Sequence, residues 1–160
     1  IVNIFGILNF IFIQYINNHV VSPSILKEVI TDFESYKSFI PQVQNIVLHK
    51  KGPPEWEVTI SIFVIRPLEY RIRFIEEDDY QFSWDLISGC FVVNRGGWSL
   101  EPKEDGCLVS YRVEMQLSTY LPSLITRKLQ ERSIPNLIRS FVDEANRRLS
   151  VQSESAKYDN

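Results

Sequence analysis

Apolar and polar residues alternate through the middle of the chain in one short run after another. In the clearest run, Tyr70, Ile72 and Phe74 are separated by two arginines. A period of two places the apolar side chains on one face of a β-strand and the polar ones on the other. The same alternation occurs over residues 58–64, 82–86, 98–100 and 109–117. This pattern constrains the fold most, because each such strand needs another element to cover its apolar face.

Short polar segments separate these strands. Residues 77–79, 88–89 and 105–106 carry turn signals, and the Gly-Pro-Pro sequence at residues 52–54 breaks the chain before the first run. Connections this short join antiparallel strands, because a parallel crossover needs a dozen or more residues. The pattern therefore predicts one antiparallel sheet that is covered on a single face.

A first strand and two short helices precede this region. Residues 12–21 are rich in β-branched and aromatic residues, which predicts a strand. Ser22 offers an N-cap hydroxyl and Pro23 suits the first helical position, so a helix should follow directly. Asp32 can cap a second short helix, which Pro41 should end.

The element that could cover the sheet lies near the C-terminus. An apolar stripe at helical spacing runs from Leu121 to Leu149, and Pro122 can open the helix. About 28 residues of helix would be roughly 42 Å long, enough to cross the whole sheet. Pro135 should kink this helix or split it in two. The polar residues after Ser150 predict a disordered tail.

The N-terminus is apolar. Residues 1–26 contain no Asp, Glu, Lys or Arg. Asn3, Asn9 and Gln14 interrupt what would have to be roughly 20 apolar residues in a spanning helix, and the positive n-region of a signal peptide is missing. The first residue is Ile, which fits a fragment or a misassigned start. We interpret the segment as a first strand with an extension; a membrane-touching segment and the end of a targeting sequence are the alternatives.

Net charge, cysteine content and histidine content limit the kinds of partner and the cellular compartment that we expect for this protein. A net charge of −3 does not suit DNA binding, so no DNA partner is expected. Cys90 and Cys107 are too few for a disulfide framework and are interpreted as small apolar residues in a reducing compartment. The chain is therefore expected in the cytoplasm, with the membrane surface as the alternative. The two histidines lie far apart, so no metal and no cofactor is expected.

Two local motifs sharpen this interpretation. Residues 32–41 read DFESYKSFIP and fit the pattern D-x-x-x-Y-x-x-F-x-P, while GCF at residues 89–91 and GWSL at residues 97–100 fit a G-x-F … G-x-W-x-F hairpin. With the order of elements, they resemble the START-like (helix-grip, SRPBCC) superfamily, in its coenzyme Q-binding and polyketide cyclase/dehydrase branch. Leu100 and Cys90 depart from the usual residues of that branch.

The resemblance implies an α+β helix-grip fold. About seven antiparallel strands would curve around the long C-terminal helix, with two short helices after the first strand. Residues 12–149 would form this ligand-binding domain. Residues 1–11 would be an apolar extension of uncertain role, and residues 150–160 a disordered polar tail.

The resemblance also implies a ligand cavity between the concave sheet face and the long helix. By strand parity, we expect these sheet residues to bind the ligand: Ile60, Ile62, Tyr70, Ile72, Phe74, Phe82, Trp84, Trp98, Tyr111, Val113 and Met115. From the helix, we expect Leu121, Leu124, Ile125 and Leu129 to close its mouth. The same parity places Arg71, Arg73 and Arg112 on the outer face, and no catalytic residue is assigned.

The predicted function is binding or transport of a hydrophobic small molecule, such as a quinone, a polyketide or a lipid, without turnover. One alternative is a polyketide cyclase/dehydrase-like enzyme, in which Tyr70 and Tyr111 are the only inward acid groups. Another is a ribosome-associated, toxin-like regulator. Residues 122–149 carry six basic and three acidic side chains, which suits that partner or a solvated helix face.

Overall fold

The computed structural model describes residues 2–7, 10–64, 66–120 and 122–158. In this part of the chain, eight strands form one antiparallel sheet in the order β1-β2-β8-β7-β6-β5-β4-β3. The strands are β1 (Val2–Ile7), β2 (Phe10–His19), β3 (Val43–Lys50), β4 (Glu55–Phe63), β5 (Pro67–Asp78), β6 (Gln81–Gly89), β7 (Phe91–Lys103) and β8 (Gly106–Leu117). The helices are α1 (Pro23–Thr31), α2 (Tyr36–Phe39), α3 (Ser123–Lys128) and α4 (Ile134–Tyr158).

This architecture confirms the predicted helix-grip fold. Strands β2 to β8 curve around the C-terminal helix, and α1 and α2 follow β2. Strand β1 lies in the N-terminal extension and pairs with β2, with Val2 opposite Tyr15 and Ile7 opposite Phe10. Because β1 occupies that edge, the backbone of β2 has partners on both sides.

The start of α1 is as predicted, but the role of Asp32 is different. Ser22 Oγ accepts a hydrogen bond from the Ile25 N–H at 3.4 Å, and Pro23 opens the helix. The Asp32 side chain caps no helix. Its carboxylate instead accepts a hydrogen bond from the Arg148 guanidinium at 2.9 Å. A hydrogen bond between two charged groups is stronger than one from a neutral backbone N–H, which favours this partner.

The C-terminal helix is interrupted just before Pro135, as expected. A π-helical turn over Leu129–Ser133 joins α3 to α4. Proline has no N–H to donate, and its ring crowds the carbonyl four residues earlier, so a regular α-helical turn is unfavourable there. A π turn moves the hydrogen bonds to the i→i+5 pattern and relieves that conflict.

The predicted disordered tail is instead mostly helical, because α4 continues to Tyr158. No Gly or Pro occurs after Ser150 to end the helix. Ser150, Ser153 and Ser155 donate their hydroxyls to carbonyls four residues earlier, at 3.0–3.1 Å. This part of the helix is exposed. None of the described helices combines the length and the apolar character needed to span a membrane.

The middle of α4 packs on the concave face of the sheet. Phe141 lies in the core, with its ring centroid 5.1 Å from that of Trp98 in β7 and 5.2 Å from that of Tyr36 in α2. Ile138 and Ala145 are buried on the same side of the helix. These contacts hold α4 across the sheet and leave a space beside its N-terminal end.

Candidate functional site

A cavity of about 200 Å³ lies between the sheet, α2, the π turn and the start of α4. Most of its wall is apolar or aromatic. The lining residues are Phe33, Tyr36, Ile40, Gln42, Val43, Ile60, Ile62, Val64, Tyr70, Ile72, Phe74, Trp84, Asn94, Trp98, Tyr111, Val113, Met115, Ser133, Ile134, Leu137 and Phe141. The hollow required by the sequence interpretation is therefore present.

The predicted sheet residues line this cavity, with one exception. Alternation along β4, β5, β7 and β8 brings their inward side chains to one wall. Contact between these side chains and a ligand stays a prediction.

The exception is Phe82. It is buried, but it lies in the core beside the cavity and stacks on Phe74 with ring centroids 5.6 Å apart. Trp84 is two residues further along the same face of β6 and reaches the cavity. Parity therefore gave the correct face for Phe82 but could not give its distance from the hollow.

The helix side of the cavity differs from the prediction. Leu124 is 75% exposed and does not line the cavity, so the prediction that it closes the mouth was wrong. A π turn holds about one residue more than an α-helical turn, and one residue rotates a helix by about 100°. This rotation carries Leu124 away from the cavity. Leu121 and the side chains of Ile125 and Leu129 lie outside the described part of the structure.

Several lining residues were not predicted as site residues. Ser133, Ile134, Leu137 and Phe141 close the cavity from the helix. Phe33, Tyr36 and Ile40 approach from the segment around α2, and their helical spacing was a visible signal. Asn94 was missed although it has the same strand parity as Trp98.

Asn94 and Trp84 form a buried polar pair in the cavity wall. Trp84 Nε1 donates to Asn94 Oδ1 at 3.0 Å. Trp84 lies close over β7, where a Cβ atom on Gly96 would come within 2.4 Å of Trp84 Cζ2. The missing side chain at Gly96 is what gives the indole room to reach Asn94.

Other polar groups of the lining belong to aromatic side chains. Tyr70, Tyr111 and Trp98 have no hydrogen-bond partner among the described residues. Burial raises the pKa of Tyr70 and of Tyr111 well above the ordinary value for a phenol, so both hydroxyls keep their protons. They can donate hydrogen bonds into the cavity.

The described lining contains no charged side chain. The arginines on the outer face are paired with carboxylates instead: Arg71 contacts Glu57 at 2.6 Å and Arg73 contacts Glu55 at 3.4 Å. Arg112 is also exposed. Among the described residues, no group of His, Cys, Asp and Glu side chains is placed to hold a metal ion.

The fold is shared with several solved structures. A START superfamily protein from Mycobacterium smegmatis is 14% identical, with 85% of this chain and 97% of that chain covered and a TM-score of 0.73. The Zhui aromatase/cyclase from Streptomyces sp. R1128 is 11% identical, with 88% and 96% covered and a TM-score of 0.73. A STAR-related lipid transfer protein from Xanthomonas axonopodis is 13% identical, with 91% and 98% covered and a TM-score of 0.68. At these identities the likeness shows the fold alone.

The sequence comparisons identify the family. No curated protein matches the chain. The model of one family, described as polyketide cyclase / dehydrase and lipid transport, matches residues 26–142. This match covers most of the helix-grip domain and confirms the START-like resemblance, while coenzyme Q binding stays a prediction. The chain belongs to the polyketide cyclase / dehydrase and lipid transport family.

Proposed function

We propose that this protein binds an uncharged hydrophobic small molecule in its internal cavity and carries it without chemical change. The observation that carries the proposal is the hollow of about 200 Å³ whose described wall is mostly apolar and has no charged side chain. Side chains that only served the fold would fill such a space, because protein interiors are packed as densely as organic crystals.

The wall chemistry supports an uncharged ligand. Moving an ion from water into apolar surroundings is costly unless an opposite charge meets it there. The phenols of Tyr70 and Tyr111 stay neutral, so they supply no such charge. A ligand that hides roughly 250 Å² of apolar surface would gain about 6 kcal/mol before the cost of ordering it. A gross gain of this size corresponds to a dissociation constant on the order of tens of micromolar, and the ordering cost makes the net binding weaker.

Related proteins point in the same direction. The family description includes lipid transport, and the fold is shared with a STAR-related lipid transfer protein. Both concern hydrophobic molecules. The aromatase/cyclase with the same fold is the reason to keep an enzyme as the second candidate.

The enzyme candidate has one observation in its favour, the protonated phenols of Tyr70 and Tyr111. Either could act as a general acid on a bound polyketide. Ring closure also needs a group that accepts a proton, and the described lining offers no Asp, Glu or His for that role. We therefore propose a carrier.

The ribosome-associated candidate rests on the basic side chains near the C-terminus, several of which are engaged in ion pairs. Arg147 and Arg148 both contact Glu144, at 2.8 and 2.9 Å. Arg127 lies 3.7 Å from Glu131. These pairs reduce the charge that the helix could offer to RNA phosphates.

The carrier proposal is tested by filling the cavity. Equilibrium dialysis against tetralin, a neutral two-ring hydrocarbon, measures binding to the native protein and to two variants. Val113→Phe places a ring in the hollow and should weaken tetralin binding at least ten-fold. Val92→Phe makes the same change at an exposed position and should leave binding unaltered. Absence of tetralin binding to the native protein, or equal binding to both variants, would contradict the proposal.

Turnover is tested with a linear poly-β-ketone thioester. The carrier proposal expects this compound to be recovered uncyclised after incubation with the protein. A cyclised product that disappears in Tyr70→Phe or Tyr111→Phe would show that the protein is an enzyme.

A further inference from the structure

We propose that Asn94 is the specificity-determining residue of the cavity and donates a hydrogen bond to a carbonyl oxygen of the ligand. This inference rests on the proposed function, because it names the ligand class of the same cavity. The class is an uncharged ketone or quinone-like molecule of one or two rings.

The orientation of the amide follows from its neighbour. Trp84 Nε1 lies 3.0 Å from Asn94 Oδ1. An indole nitrogen can donate a hydrogen bond but cannot accept one, so the atom that faces it must be the amide oxygen. The NH₂ group therefore occupies the other position, and Trp84 is the residue that keeps it there.

The NH₂ group has no hydrogen-bond partner among the described residues, although Asn94 is only 5% exposed. Nδ2 is not among the fully buried atoms of the described residues that lack a partner, so it faces space that water or a small molecule can reach. Asn94 lines the cavity. The acceptor for its N–H groups must then come from whatever fills the cavity, which is water in the empty protein and the ligand in the complex.

Other polar groups of the lining add donors: Tyr111 and Trp98 are buried, and Tyr70 is partly buried. Tyr70 and Tyr111 keep their phenol protons, and the Trp98 indole can only donate. Gln42 is exposed and Ser133 is half-buried, so water can satisfy both. The interior thus favours a ligand that brings acceptors, and a carbonyl oxygen accepts two hydrogen bonds without carrying a charge.

The size of the cavity limits the rest of the ligand. An engineered apolar cavity of about 150 Å³ in another protein holds benzene. A cavity of about 200 Å³ suits one ring with a short substituent or two fused rings. The aromatic side chains of Trp84, Trp98 and Tyr111 provide flat surfaces for such rings.

The test compares 1-tetralone with tetralin, two molecules of the same shape that differ by one carbonyl. The measured quantity is the ratio of the tetralin Kd to the 1-tetralone Kd, obtained by equilibrium dialysis. Asn94→Leu removes the donors and keeps the approximate size. The ratio should fall about five-fold in this variant, the effect of losing one neutral hydrogen bond. The tetralin Kd should change little.

A second variant and a measurement on the native protein guard against misfolding. Asn94→Asp keeps an oxygen for Trp84 Nε1 and removes both N–H groups, so at a pH high enough to ionise the new carboxyl the ratio should fall at least as far. In the native protein, the infrared carbonyl stretch of ¹³C-labelled 1-tetralone should move to lower frequency than in hexane. An unshifted band would overturn the inference even if neither variant folds.

The outcomes separate this inference from the proposed function. If the native protein binds neither tetralin nor 1-tetralone, the carrier proposal and this inference both fail. If it binds both compounds and folded Asn94 variants keep the native ratio, the role of Asn94 is wrong while the carrier proposal stands.

Discussion

The two ends of the C-terminal helix are held in different ways. In the anchored segment, residues 138–148, Ile138, Phe141 and Ala145 are buried against the sheet and the short helices. In the open segment, residues 122–133, Leu124 is exposed and the π turn borders the cavity. The C-terminal helix therefore serves two purposes: its middle packs on the sheet, and its beginning borders the cavity.

A buried ion cluster strengthens the anchored segment. Glu144 is 7% exposed and accepts hydrogen bonds from Arg147 and Arg148 at 2.8–2.9 Å. Arg148 also reaches Asp32, next to the end of α1. The open segment has a single exposed pair, Arg127 with Glu131, among its described residues. We expect changes in the two segments to have unequal effects.

The largest expected effect comes from Ile138→Ala. Ile138 is 0% exposed, and truncating a fully buried isoleucine should lower the free energy of unfolding by about 3–4 kcal/mol. Leu124→Ala in the open segment should change it by less than about 0.5 kcal/mol. Urea unfolding curves measure both values. Similar losses in the two variants would erase the distinction between the segments.

The second largest expected effect is a loss of stability in acid, when Glu144 in the anchored segment becomes protonated. The hydrogen bonds from Arg147 and Arg148 lower the pKa of Glu144 from 4.5 to about 2. Because the folded pKa lies below the unfolded one, the stabilisation is fully present above about pH 4.5 and is lost as the pH falls toward about 2. The loss should amount to about 2 kcal/mol, because Arg147 is exposed and solvent screens part of the interaction. Unfolding curves of the native protein and of Glu144→Gln, recorded between these pH values, should converge; parallel curves would show that Glu144 is not responsible.

At neutral pH, Glu144→Gln should destabilise the protein by about 2 kcal/mol, because Arg148 then keeps its charge in a half-buried site with a weaker partner. The matched change in the open segment is Glu131→Gln, which removes an exposed carboxylate. That variant should lose less than about 0.5 kcal/mol. Chemical unfolding at pH 7 makes the comparison, and equal losses would contradict a special role for the buried cluster.

The smallest expected change in the free energy of unfolding comes from removing a tyrosine hydroxyl. The effect should depend on whether that hydroxyl has a hydrogen-bond partner in the protein, as in Tyr36, or faces the cavity, as in Tyr111. Tyr36 donates its hydroxyl to the Ile30 carbonyl in α1, so Tyr36→Phe should cost about 1 kcal/mol. Tyr111 has no such partner among the described residues, and Tyr111→Phe should leave the unfolding free energy within about 0.5 kcal/mol of the native value. Thermal unfolding of both variants is sufficient. A larger loss for Tyr111→Phe would mean that its hydroxyl supports the fold.

Local patterns were enough to predict most of the fold. Alternation at Tyr70, Ile72 and Phe74 identified an inward face, and the Ser22-Pro23 pair marked the start of α1. Pro135 marked the interruption of the long helix. Each of these signals depends on neighbours within a few residues of the chain, which is why the sequence alone could reveal them.

Features that depend on distant contacts or on volume escaped prediction. Asp32 pairs with Arg148, a partner 116 residues away, so its capping role could not be judged locally. Phe82 and Trp84 share a face, yet only one of them lines the cavity, because alternation says nothing about where packing leaves a hollow. Asn94 has the same parity as Trp98, but Gly96 and Gly97 interrupt the alternation between them, so the pattern could not be extended back to Asn94.

The π turn has a consequence for engineering. Removing one residue from Leu129–Ser133 should allow a regular helix to form through this stretch, apart from the N–H that Pro135 lacks. The π turn already absorbs one extra residue, so the shortened helix would keep the relative orientation of its two parts and Leu124 would stay exposed. One deleted codon would thereby straighten the helix without adding a side chain to the wall of the cavity.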